Sequence, residues 1–149
     1  MRAMLIAAAL ATPAAAQVAD YRIVDGAIPE PLTDVPGDPA RGAAIFADRE
    51  GAHCLLCHGV DSLDAPFQGD LGPDLSGYGA VMDKEVTRLR LVDATRLNPD
   101  TIMPAYHRIE RLREVQARYR GRPVLSAQEI EDVIAYLDSL RPDSRGGSE

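Results

Sequence analysis

The chain has 149 residues, the size of one ordinary domain, with 46% hydrophobic side chains and a formal charge of −7. That acidity argues against nucleic acid or an anionic membrane as the main partner, and no apolar run is long enough for a permanent bilayer span. Two cysteines leave room for one disulfide or one paired-cysteine motif, and for nothing more.

Met1 to Ala16 carries Arg2, a short apolar run and Ala14-Ala15-Ala16, the pattern of a signal peptide cut before Gln17. The mature chain is then expected in the periplasm. Gln17 to Pro36 contains Gly26, Pro29, Pro31 and Pro36 without a helical period, and reads as an extended arm outside the core, lying on the domain or on a partner. The domain proper is expected over 37–142. Asp38 suits an N-cap and Pro39 the first helical position, predicting a helix to about Arg49 with Gly42, Ile45 and Phe46 on its contact face. Gly51 is expected to end it.

Cys54-Leu55-Leu56-Cys57-His58 follows, and reads as the attachment site of a c-type haem. Haem carries two vinyl groups on one edge, and each can take a thiol as a thioether. Two intervening residues put both sulfurs on one turn of chain, and the next histidine can swing beneath the ring to ligate iron. A redox CxxC or half a zinc site are the competing readings. Zinc would need about two further ligands, yet there is no third cysteine, and His53 and His107 lie in unrelated settings. A thioredoxin-like site would follow a strand, and no strand pattern precedes Cys54.

His58 is the expected proximal ligand, and its other ring nitrogen needs an acceptor to fix the tautomer. The turn Leu71-Gly72-Pro73-Asp74-Leu75 can aim a backbone carbonyl at that nitrogen. Asp83 is expected to cap a helix through about Val92, with Val86, Leu89 and Val92 inward, and Asn98-Pro99 breaks the chain beyond it. Met1 and Met4 leave with the signal peptide. Met103, stiffened by Pro104, is then the favoured distal ligand, with His107, Met82 and an open site as alternatives. His/Met ligation closes both faces of the iron and suits it to moving electrons.

Arg108 to Arg122 sets six arginines against Glu110 and Glu114, either a solvated surface or a face for an acidic partner or the haem propionates. Ser126 and Glu129 form a capping-box pair ahead of Ile130, Val133, Ile134, Leu137 and Leu140 at helical spacing. Pro142 should stop that helix, and Asp143 to Glu149 is a polar tail expected to be disordered. No strand is convincing. The expected class is all-α.

Several of these features together resemble a class I cytochrome c: Gly42 and Phe46, the CxxCH, Gly72-Pro73-x-Leu75, Met103-Pro104 and a final helix with Tyr136-Leu137. The resemblance implies crossed first and last helices, with Gly42 admitting Tyr136. Leu71 to Gly77, Asn98 to Arg108 and Tyr119 to Ser126 are more specific, and are similar to the SoxX family, monohaem cytochrome subunits of the bacterial thiosulfate-oxidising Sox system. That likeness implies one covalent haem c and a haem-bearing SoxA-like partner subunit in a heterodimer. It also implies a carrier protein, SoxYZ, whose cysteine receives thiosulfate, and a downstream cytochrome as electron acceptor. In that family the catalytic cysteine belongs to the partner. The competing functions are a freely diffusing periplasmic electron carrier and an open-iron haem protein.

Overall fold

The computed structural model describes residues 18–141. The expected leader, Gln17, Pro142 and the tail beyond it lie outside the described residues. Helix α1 spans Pro39–Ala47 and is capped as its sequence demands: the Asp38 carboxylate accepts the Ala40 and Arg41 amides at 2.8 and 2.9 Å. It stops two residues short of Arg49, and not at Gly51. Asp48 leaves the helical region and its carboxylate takes the Glu50 amide at 2.9 Å, a local bond that competes with another helical turn.

Helix α3, Ala127–Ser139, opens on the full Ser126/Glu129 capping box. Its apolar stripe is buried throughout, from Ile130 to Leu140. The two helices cross where α1 has no side chain. A Cβ on Gly42 would overlap the Asp132 carbonyl and sit 2.7 Å from the Tyr136 Cβ. With that space open, Phe46 packs on Tyr136 at 5.5 Å between ring centroids, tilted by 57°. Arg41 fastens the crossing with a two-pronged ion pair, Nε and Nη2 each 2.8 Å from the buried Asp132 carboxylate.

Helix α2, Lys84–Asp93, is capped by Asp83 and buried on two sides. Leu91 faces the main core with Phe46, Tyr106, Val133 and Leu137. Leu89 and Val92, expected to join that core, turn away from it and pack under the arm instead. Val86 is only half-buried. The cause is Ile28, 1% exposed, which forms a second small core with Leu89 and Val92. The proline-rich arm is therefore not outside the core along its whole length.

Polar groups tie the arm down as well. Buried Arg88 donates to the Ile28 carbonyl at 2.8 Å and to Glu131 on α3 at 2.7 Å, and Glu131 accepts the Leu32 amide at 2.9 Å. The Ala19 amide donates to His107 Nε2 at 2.9 Å. Among the described residues there is no strand, only one antiparallel bridge between Val24 and Ala27.

Candidate haem site

The attachment segment is one tight turn. His53 adopts a left-handed φ of 59° and reverses the chain into a 3-10 turn over Cys54–Leu56. The Cys57 and His58 amides both donate to the Cys54 carbonyl, at 3.1 and 3.0 Å, which holds the two thiols and the imidazole together. Leu55 points the other way and anchors the turn in the core at 1% exposure. Burial, with a smaller push from Cys57, raises the free Cys54 thiol to about 12. A thiol in that state is protonated at neutral pH and is a poor nucleophile.

The loop after the motif returns onto it. The Gly69 amide donates to the Leu55 carbonyl at 2.8 Å, and the Gly72 amide to the Cys57 carbonyl at 2.7 Å. Gln68 pins the intervening residues by accepting the Val60 amide and donating to the Leu63 carbonyl. Pro73 then presents its carbonyl oxygen 2.7 Å from His58 Nδ1. That bond makes Nδ1 the protonated nitrogen and leaves the Nε2 lone pair available to a metal. Gly72 makes the approach possible, since a Cβ there would overlap the His58 ring, 2.7 Å from Nδ1 and 2.9 Å from Nε2.

Above this turn lies a cavity of about 460 Å³, and Cys54, Cys57, His58 and Met103 all line it. Its volume falls in the ~300–1,000 Å³ usual for cofactor pockets. Phe46, Leu75, Leu91, Tyr106, Val133 and Leu137 supply the apolar walls that a macrocycle requires. Met103 arrives on a loop hung from the open carbonyls of α2: the Tyr106 and His107 amides donate to Leu91 and Val92, each at 3.2 Å. The donor set, the imidazole cradle and the apolar walls all fit a covalently bound haem.

The alternative ligands do not reach this space. His107 is fully buried elsewhere, with Nδ1 2.7 Å from the Leu125 carbonyl and Nε2 taken by Ala19. Met82 packs against the edge of the core and does not line the cavity. His53 does line it, on the attachment side. None of the arginines from Arg108 to Arg122 lines it either. Arg108 instead pairs with Asp93, a carboxylate 1% exposed, at 2.8 Å. Motif reading missed Tyr106, whose phenol is raised by burial, and missed Tyr78, Thr87 and Arg90. A signal existed for the last pair: Thr87, Arg90 and Leu91 share one face of α2 at spacings of three and four.

The cytochrome c family model matches residues 39–141, which is α1 through the end of α3. The chain belongs to the cytochrome c family. Membership implies covalently bound haem c and gives an all-α class I cytochrome c fold. By sequence alone, no curated protein matches this cytochrome. Among solved structures it is similar to a chain of the crystal structure of SoxXA from P. pantotrophus, at 30% identity and a TM-score of 0.75. The match covers 82% of this cytochrome and 95% of the other chain. It bears out the resemblance to SoxX read from the Asn98 to Arg108 and Tyr119 to Ser126 segments.

Proposed function

We propose that this cytochrome carries one haem c and is the electron-transfer subunit of a periplasmic thiosulfate-oxidising complex, exported by the leader Met1 to Ala16. Cys54 and Cys57 would hold the haem vinyls, His58 the proximal side of the iron and Met103 the distal side. The haem, when bound, supplies reversible one-electron chemistry. The chain supplies a dry cavity, an imidazole fixed by Pro73 and a thioether that closes the second face.

The observation that carries this reading is the commitment of both thiols to a single cavity with His58 and Met103. No other cysteine exists in the chain, so no nucleophile remains for sulfur chemistry. Joining thiosulfate to a carrier thiol forms one S–S bond and releases one proton and two electrons. That bond would form on a haem-bearing SoxA-like partner, with the SoxYZ-type carrier as acceptor of the sulfur. Electrons would pass singly through this haem to a downstream cytochrome.

Stopped-flow mixing tests it: the isolated holoprotein should be redox-active yet inert toward thiosulfate and carrier thiol, and become reduced only with the partner present. Turnover by this chain alone would overturn the relay reading. One observation favours the runner-up, a freely diffusing electron carrier. The arm, expected to lie on the domain or on a partner, packs on its own α2. Co-purification of a second haem-bearing chain decides between the two.

A further inference from the structure

Haem brings two carboxylates as well as two vinyls, on opposite edges of the macrocycle, and a carboxylate held at the cavity is favoured by a cation beside it. Among the described residues, no Asp or Glu lines it. Its polar side chains away from the attachment segment and the Met103 loop are Tyr78, Thr87 and Arg90. They form one group: the Tyr78 hydroxyl lies 3.0 Å from Thr87 Oγ1, and Arg90 stands one turn further along the same face of α2.

Arg90 differs from the other arginines set near structure. Arg88 is spent on Glu131, Arg41 on Asp132, and Arg96 and Arg108 on Asp93. Arg90 is exposed at the cavity wall and forms no ion pair or side-chain hydrogen bond among the described residues. A planar guanidinium at the mouth of an acid-free cavity is suited to two-pronged binding of a carboxylate.

We propose that Arg90 is the counter-charge for a haem propionate, with Tyr78 and Thr87 as neighbouring hydrogen-bond donors, and that it tunes the reduction potential. This replaces the Arg108 to Arg122 segment in that role, and it rests on the haem reading above. A positive charge near the macrocycle favours the reduced haem, whose net charge is less positive. Arg90 is thus a positioning and tuning residue. Gln and Lys have helix propensities close to Arg, so substitution at this exposed site preserves α2.

The test uses holoprotein in which covalent haem is first verified by mass. Absence of that mass would fail the haem reading itself, separately from this proposal. Spectroelectrochemical titration should show Arg90→Gln with a lower midpoint, by up to about tenfold in the reduction equilibrium constant, or ~59 mV for one electron. Arg90→Lys keeps the charge but not the fork and should recover part of the loss, and the propionate bending band in resonance Raman should shift in Arg90→Gln. Arg22→Gln, the same charge change on an exposed arm residue outside the cavity lining, should leave the midpoint near wild type. The proposal is overturned if Arg90→Gln falls no further than Arg22→Gln, if Arg90→Lys falls as far as Arg90→Gln, or if the Raman band does not move.

Discussion

At the scale of single residues, the proximal side is held by contacts that tolerate no added atom. Gly72→Ala places a methyl group inside the His58 ring envelope, so either the turn or the imidazole must move. The expected result is poor accumulation of folded holoprotein, and in what survives a weakened Pro73 bond, a less basic imidazole and a higher potential. Comparing haem content per chain with wild type checks it, and wild-type haem loading with an unchanged spectrum would refute it. On the distal side, Met103→Ala should abolish the weak sulfur-to-iron charge-transfer band at the red end of the ferric spectrum and lower the potential. The matching control is Met82→Ala, which should keep the band because Met82 does not line the cavity. Cys54, Cys57, His58 and Met103, which the structure brings to one cavity, could be singled out from sequence because each sits in a short local pattern. Tyr106 could not, because its place in the wall depends on how the loop from Met103 hangs from α2, and Arg90 left only its helical spacing with Thr87 and Leu91 as a signal.

Elements were legible where their ends carry local chemistry. Asp38-Pro39, Asp83 and the Ser126/Glu129 pair each announce a helix start, and all three helices begin there. The end of α1 was misplaced because Asp48, with its own side-chain bond, acts before Gly51 can. How elements pack is a pairwise matter, and only the α1–α3 crossing left a mark in sequence, in Gly42. Beside it, Asp132 joins the two helices through Arg41 and the Asp38 amide, and accepts a further bond from Gln128 on its own helix. The Arg41 guanidinium holds its carboxyl below the usual carboxylate range, aided by the Asp38 and Gln128 bonds and opposed by burial. Because the folded-state value is depressed, the stabilisation is present above the unfolded value of about 3.9 and is lost as pH falls through the folded one. Asp132→Asn should therefore lower the melting temperature most at neutral pH, with the gap to wild type closing below about pH 4. Thermal melts of both proteins across that range give the answer, and a gap independent of pH would show that the ion pair contributes nothing.

For the whole molecule, the least legible part was the arm. Residues 18–36 carry no period, because an extended strap bonds through scattered backbone groups and one fully buried apolar anchor, Ile28, flanked by half-buried Tyr21 and Leu32. Its counterpart on α2 looked like an ordinary core stripe, so nothing in the sequence told Leu89 and Val92 which layer they would meet. The structure makes the arm part of the domain. Ile28 seals Leu89 and Val92, and the Ile28 carbonyl and Leu32 amide complete the hydrogen bonding of the buried Arg88–Glu131 pair. Such a pair is costly to bury and holds only while its remaining donors and acceptors are met. Two variants separate the arm's contributions. Ile28→Ala leaves the backbone bonds and removes the anchor, for an expected loss of about 2–4 kcal/mol in unfolding free energy. Glu131→Gln keeps the anchor and leaves Arg88 buried without its counter-charge, for about 3–5 kcal/mol. Deleting residues 18–27 retains Ile28 and the ion pair, and should cost the Ala19–His107 bond, about 1 kcal/mol, together with the half-buried contact of Tyr21 on the second core. Denaturant unfolding of the three holoproteins orders them. If the deletion proved as damaging as Ile28→Ala, the arm would be holding the fold along its whole length, and Ile28 would not be its anchor.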